Sequence, residues 1–327
     1  MTVITITKES GIPLVGHLAF GLIFRGASNL VQVRATTICN LTCPFCSTDG
    51  GPNSTSHKTH YVVDPGYLLE WTALMTADRG PTHINLDSVG EPTAYPHLTY
   101  LISKLSEMPQ VEFVSMQTNG TLLNKEKVKE LEKAGLKRIN LSIHALNIEL
   151  AKKLAGSSAY NINSITDLAK DIRNTTIDLL IAPVYLPGVN DKDIQDIIAL
   201  GKRIGCKVAI QKYEEYKYSR KMKSIKKQNF YRFYQQLKAW EKEFNMKLVY
   251  KAEDLNVRRA PAIKPIMRIG ERCNVKVLEK GWMENQMLAA HKNRCITIAK
   301  CAAQKGDKVN IKITDNKNNI YLAEKLK

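Results

Sequence analysis

Acidic residues are scarce in this sequence: 31 Asp and Glu stand against 48 Lys and Arg, for a formal net charge of +17 at pH 7. That imbalance favours a polyanionic partner, because each surface cation can neutralise a phosphate and release counterions. A lysine-rich surface that binds nothing gives the same count, so charge alone does not decide. Glycine and proline are also few, 18 and 12 in 327 residues, and 44% of the chain is hydrophobic, which excludes a low-complexity or disordered chain. No apolar run approaches the roughly 20 residues of a membrane-spanning helix. The longest candidate, Pro13–Phe24, is short, follows Lys8 and Glu9, contains His17 and reaches Arg25 without a small-residue cleavage pattern, which argues against a secretory leader. A soluble, cytoplasmic protein is expected. Cysteine totals seven, an odd number in a chain too long to need disulfide staples.

What is present has a strong rhythm. Short, largely β-branched apolar runs at Leu30–Thr36, His83–Leu86, Val111–Met116, Arg138–Ile143, Thr176–Ala182 and Lys207–Gln211 read as strands buried on both faces. Helical stretches lie between them. Asp64-Pro65 opens one, Asn124 caps Lys125–Ala134 ahead of Gly135, and Asp191 opens a run that stops at Gly205. Six β/α units predict a parallel sheet, either doubly wound or part of a (β/α) barrel. Residues 1–29 precede this core as an N-terminal extension, and the core itself spans 30–250. Residues 251–266, with Pro261 and Pro265, read as a linker. From 267 to 327 the texture is of short antiparallel strands, at Cys273–Leu278, Cys295–Ala299, Lys308–Ile313 and Ile320–Ala323, predicting a small all-β barrel.

Three of the seven cysteines crowd into eight residues, Cys39-x3-Cys43-x2-Cys46, directly after the first predicted core strand. In a parallel β/α domain that loop lies at the strand's C-terminal end, where chemistry is placed. Three thiolates leave a [4Fe–4S] cube one ligand short, so one iron stays open to a small molecule. Zinc held by Cys43, Cys46, His57 and His60 is the alternative, but its intervals are shorter than those of common fingers and it leaves Cys39 idle.

This cysteine spacing resembles the signature of the radical S-adenosylmethionine (SAM) superfamily, over about residues 30–215. The resemblance implies a partial (β/α)6 barrel, a [4Fe–4S] cluster on Cys39, Cys43 and Cys46, and SAM as cosubstrate. It also implies the SAM contacts. Phe45 matches an aromatic position near the adenine, and Ser88-Val89-Gly90-Glu91-Pro92 resembles the stretch whose backbone holds the SAM amino group, with Val89 in place of its first glycine. Asn119, Ser142 and His144 match lining positions after the third and fourth strands, and Gln211 ends the sixth, where ribose or adenine is touched. Read as bare residues, Gly90-Glu91-Pro92 and Asn119-Gly120 are also good turn formers, and His144 is an ordinary structural histidine.

Two further regions are basic. Between residues 212 and 238, Tyr213, Tyr216, Tyr218, Phe230, Tyr231, Phe233 and Tyr234 alternate with Lys and Arg, a combination suited to single-stranded RNA. After residue 228 the better reading is an amphipathic helix with Phe230, Phe233 and Leu237 as its buried stripe, whereas Tyr213 to Lys227 points to ligand contact. From Met267 to Lys327, basic residues outnumber acidic ones thirteen to six. Gly270-Glu271, Lys305-Gly306-Asp307-Lys308-Val309 and the following strands resemble a TRAM domain, a small OB-like RNA-binding barrel. Cys206, Cys273, Cys295 and Cys301 match no ligand spacing.

The expected function is therefore reductive cleavage of SAM to a 5′-deoxyadenosyl radical that modifies a nucleoside of tRNA or rRNA, with a ferredoxin or flavodoxin as electron donor. The alternatives are a radical SAM enzyme acting on a small molecule or peptide, and a metal-stabilised RNA-binding protein without catalysis. Methylthiolation and cobalamin-dependent methylation are not expected. No cysteine precedes Cys39, and the length leaves no room for a cobalamin domain.

Overall fold

The computed structural model describes residues 2–326; Met1 and Lys327, the ends of the expected first and last segments, lie outside the described residues. In chain order the core elements are β1 (Thr2–Ile6), β2 (Gly21–Phe24), β3 (Leu30–Arg34), β4 (Thr59–Val63), α1 (Pro65–Thr76), β5 (Thr82–Leu86), α2 (Leu98–Ser106), β6 (Val111–Thr118), α3 (Lys125–Lys133), β7 (Arg138–Leu141), α4 (Ile148–Ala155) and α5 (Ile162–Arg173). They continue with β8 (Asp178–Ile181), β9 (Val184–Tyr185), α6 (Asp191–Ile204), β10 (Lys207–Val208), β11 (Gln211–Lys212) and α7 (Phe230–Phe244).

The main sheet runs β10-β8-β7-β6-β5-β3-β2. Its first six members are parallel and follow chain order, so every crossover advances the same way. A doubly wound sheet would reverse direction at a switch point; this one does not, and the partial barrel is the correct alternative. The helices start where the sequence marks them: Asp64 and Asn124 each accept a backbone N–H from the first turn of α1 and α3, and α6 begins at Asp191. The expected strand over 207–211 is split. Lys207–Val208 pairs with β8, Gln211–Lys212 pairs with β9, and the break matches Pro183 between β8 and β9.

Residues 2–29 are woven into this core. β2 is the antiparallel edge of the main sheet, and β1 pairs in parallel with β4. The apolar run is buried because it fills the seam between core and tail, with Ile12, Leu14, Val15 and Phe20 all at most 1% exposed. Residues 251–266 cross the N-terminal ends of the strands: Leu255 and Asn256 offer carbonyls to Arg138 and His83, and Arg258 bonds to Asn29.

The tail folds as β12 (Arg272–Lys280), β13 (Met287–His291), β14 (Arg294–Ala299), β15 (Lys308–Asp315) and β16 (Tyr321–Lys325), closed as β12-β13-β14-β16-β15. The third and fifth strands are parallel and the other pairs antiparallel, the order of an OB-type barrel. Among the described residues no helix is long and apolar enough to cross a membrane.

Candidate functional site

The loop after β3 carries Cys39, Cys43 and Cys46, and its neighbours are the loops after β5, β6 and β7. One cavity is lined by all three cysteines with Ser88, Gly90, Glu91, Gln117, Thr118, Asn119, Ser142, His144 and Tyr160. These residues come from strand ends far apart in sequence, and the parallel sheet brings them to one end. The Gly50 N–H and the Thr48 hydroxyl lie 3.3 and 3.4 Å from the Cys46 sulfur, and the Cys43 sulfur is 3.8 Å from the Ala155 carbonyl. Burial, then repulsion from neighbouring sulfurs, pushes Cys43 up to about 12; burial raises Cys39 to about 11. Both thiols would have to lose their protons to bind iron, so cluster loading is coupled to pH.

The donor chemistry fits a three-cysteine cluster. Among the described residues no group of three or more His, Cys, Asp or Glu side chains is already gathered to hold a metal ion; the fit rests on three cysteine sulfurs lining one cavity. Zinc does not fit. The His57 ring stacks on Trp282, with centroids 3.7 Å apart and planes 6° from parallel, while its Nε2 contacts the Thr48 carbonyl. His60 Nδ1 faces the Thr37 hydroxyl at 3.3 Å.

The remaining expected contacts sort by geometry. Gly90 has no room for a side chain: a Cβ there would stand 2.3 Å from the Ile38 carbonyl oxygen and 2.5 Å from that of Thr37. The backbone of the second loop therefore lies directly on the cysteine loop, and Glu91 N donates to Ile38 O at 2.8 Å. The Glu91 carboxylate, 3% exposed, is fully engaged. Oε1 accepts from Thr93 N, the Thr93 hydroxyl and the Thr118 hydroxyl, and Oε2 accepts from Asn119 N at 2.8 Å. Burial raises its pKa, against the pull of those donors. Glu91 thus locks the β5 and β6 loops together.

Asn119 lines the cavity and donates from Nδ2 to Asn40 Oδ1 at 3.0 Å, tying the third loop to the cysteine loop. Ser142 accepts from Gln117 Nε2 at 2.8 Å. His144 Nδ1 accepts the Val184 N–H at 3.1 Å, which leaves the ring's one proton on Nε2; burial holds its pKa down, at about 4. Phe45 lies behind it, edge-on at 4.9 Å, and does not itself line the cavity. Gln211 is elsewhere: it lines an adjoining, mainly apolar groove inside the barrel whose polar groups include His83, Asn85, Ser115, Arg138 and Asn140, reached from the cavity through Gln117.

One residue of this site is not legible from motifs. Arg220 comes from the basic-aromatic segment, yet its side chain is only 15% exposed because it closes over the cysteine loop. Nε pairs with Asp49 Oδ1 at 2.7 Å, Nη1 donates to Cys43 O at 3.1 Å, Nη2 donates to Gly50 O at 2.6 Å, and its backbone N–H reaches Cys46 O at 2.9 Å. Asp49 in turn accepts from Thr55 N and Ser56 N, at 3.0 and 2.9 Å. The rest of the segment divides: Tyr213 is buried, whereas Tyr216, Tyr218, Phe230, Tyr231 and Tyr234 are exposed. Phe233 and Leu237 form the buried stripe of α7.

The uncharacterized protein MJ0103 of Methanocaldococcus jannaschii is 37% identical over 352 residues, covering 98% of this chain and 80% of that one. GTP 3′,8-cyclase of Aquifex aeolicus is 28% identical over 184 residues, 56% of each chain, so this chain spans about half the length of that relative. Crystal structures of Streptococcus suis SuiB share the fold at 19% identity: the TM-score is 0.53 for one and 0.52 for another bound to SAM, with 75% of this chain covered in each and 51–52% of SuiB. The model of the radical SAM superfamily matches residues 33–201, more than half of the sequence and the stretch from β3 into α6 that builds the cavity. The chain therefore belongs to the radical SAM superfamily, whose enzymes use a [4Fe–4S] cluster and SAM.

Proposed function

We propose that this radical SAM enzyme modifies a nucleoside within tRNA or rRNA in the cytoplasm. The observation that carries the reading is a basic OB-order barrel docked on the cysteine loop through Trp282 and His57. A TRAM-like role for that barrel follows from its order, its charge and its contact with the catalytic loop. The exposed rings of Tyr216, Tyr218, Phe230, Tyr231 and Tyr234 support it. Lys212 lies over Phe230 at 4.8 Å and Lys217 over Tyr218 at 5.1 Å, an arrangement suited to stacked bases and phosphates.

In this reading Cys39, Cys43 and Cys46 hold the cluster. Gly90, Glu91, Asn119, Ser142 and His144 line the SAM site, with Phe45 buttressing His144 from behind. When bound and given one electron by a ferredoxin or flavodoxin, cluster and SAM together supply a 5′-deoxyadenosyl radical for hydrogen abstraction. The chain's own part is to orient and to exclude water. His144 offers a neutral Nε2–H, and Gln117 and Gln211 in the adjoining groove offer amides to a nucleoside.

The deciding experiment incubates anaerobically reconstituted protein with SAM, dithionite and bulk tRNA or rRNA, then reads digested nucleosides by mass spectrometry. A new nucleoside should appear with 5′-deoxyadenosine. SAM cleavage with an unchanged nucleoside profile would sink the proposal. The cyclase relatives motivate a second reading, a free nucleotide such as GTP as substrate, which the same assay with mononucleotides tests.

A further inference from the structure

OB-type barrels commonly take a single-stranded ligand on the outer face of their second and third strands, with the loops joining strands one to two and four to five. Here the rest of the protein occupies all three. In β13 and β14, Met287, Ala289, Ile296 and Ile298 fill the barrel interior, while Leu288 and Cys295, on the other side, join the core of the α/β domain. The loop from β12 to β13 carries Trp282, stacked on His57. The loop from β15 to β16 is tied to the chain entering the barrel, with Asn316 Nδ2 donating to Met267 O at 2.9 Å and Asn319 Nδ2 to Ile263 O at 2.7 Å.

The wall formed by β12 and β15 stays open. Its register sets Arg272 opposite Lys312 and Lys276 opposite Lys308, with Asn274 opposite Asn310 between them. The two amides bond at 2.9 Å, and a shallow groove lined by Arg272, Asn274, Asn310 and Leu326 runs alongside. Side chains directly opposite on one face of an antiparallel pair sit ~5 Å apart, and like charges there oppose folding. Two such rungs on either side of one amide rung gain nothing for the barrel itself. Lys312 has Glu324 at 3.8 Å; among the described residues, Arg272, Lys276 and Lys308 have no acidic side chain within ion-pair distance.

The geometry points to this β12–β15 wall as the surface that holds the phosphodiester backbone of the RNA substrate. The inference rests on the RNA reading above and places its contact on the face opposite the one such barrels commonly use. Two cationic rungs ~13 Å apart along the strands neutralise phosphates, and the wall offers few groups to read bases. It therefore captures strand rather than sequence.

The test uses the full-length, cluster-loaded protein and a labelled single-stranded oligouridylate, with anisotropy read across a salt series and thermal unfolding read in parallel. Lys276→Glu sets a carboxylate opposite Lys308, so it should preserve or raise the unfolding midpoint while weakening RNA binding about tenfold and flattening the salt slope by about 1–2. Lys308→Glu reaches the same rung from the other strand and should do the same. Lys125→Glu on α3, with an identical change in net charge, should weaken binding by less than about twofold. RNA binding by the wild type that survives both rung variants overturns the placement and leaves the RNA reading standing. Equal weakening by Lys125→Glu, or a lowered midpoint in both rung variants, also overturns it. A wild-type protein that ignores the oligonucleotide overturns both.

Discussion

Trp282 lies flat on His57, and the two backbones beside them pair as well: Lys58 N donates to Trp282 O at 3.2 Å, and His57 bridges Met283. A loop of the terminal barrel thereby extends the segment that follows the three clustered Cys39, Cys43 and Cys46, and Tyr61 adds a hydroxyl bond to Lys280 O at 2.8 Å. Trp282 is 5% exposed. Truncating it to Ala should cost about 3–5 kcal/mol of interface stability. The expected result is faster amide exchange at residues 54–60 and slower SAM cleavage, with Trp282→Phe restoring much of both. Exchange in that segment that is unchanged in Trp282→Ala would show that the barrel does not brace the loop.

Arg220 supplies the second brace. Its guanidinium bonds to Cys43 O and Gly50 O and pairs with Asp49, which is 2% exposed. Removing one partner of a buried pair leaves the other uncompensated, typically about 3–5 kcal/mol. Arg220→Ala should release iron to a chelator at least tenfold faster than the wild type. Arg220→Lys keeps the charge but loses the fork and should fall between. Iron loss as slow in Arg220→Ala as in the parent would remove Arg220 from the site.

The sequence shows the cysteine loop plainly because its three cysteines sit within eight residues, and it shows the strands because both their faces are buried. Arg220 escapes such reading, since the carbonyl it grips at Cys43 is 177 positions away and lysines surround it in sequence. The strand β13 is missed for a different reason. Met-Leu-Ala-Ala-His does not alternate, because one face fills the barrel and the other abuts the core. The run Pro13–Phe24 is legible as apolar but not as a seam. Its partners, Cys295 and Tyr321, donate backbone N–H groups to Val15 and Gly16 from the far end of the chain. Gln211 is recognisable as a strand end, while the split of that strand, which keeps it out of the cavity, depends on Pro183 in its neighbour.

His83 makes a pH prediction. Its ring is 4% exposed between Ser115 Oγ at 2.7 Å and the Asn256 carbonyl at 3.2 Å, and burial holds its pKa down, at about 4. The unfolded chain takes up a proton near pH 6.5 and the folded one does not, so stability falls as pH drops from about 6.5 to about 4 and levels off below that. The full effect is on the order of 3 kcal/mol. Denaturant midpoints measured between pH 7 and pH 4 should decline, and His83→Gln should flatten part of that decline. An unaltered slope in His83→Gln would assign the acid sensitivity to other groups, His17 first among them.

Gly90 sits where the β5 loop lies directly on the cysteine loop. Any side chain there collides with the carbonyls of Ile38 and Thr37, which are backbone atoms and cannot swing aside. Gly90→Ala must therefore push the β5 loop off the cysteine loop, breaking the Glu91 N to Ile38 O bond and drawing the Glu91 carboxylate away from Thr118 and Asn119. The three cysteines reach their places through β3 and Arg220, which this shift does not touch directly. Iron content should then stay near the wild-type value while SAM affinity falls at least tenfold, about 1.4 kcal/mol or more. Isothermal titration of the cluster-loaded variant reads the second quantity and iron analysis the first. If both fall together, the β5 loop supports the cluster itself; if neither falls, Gly90 plays no part in holding the cosubstrate.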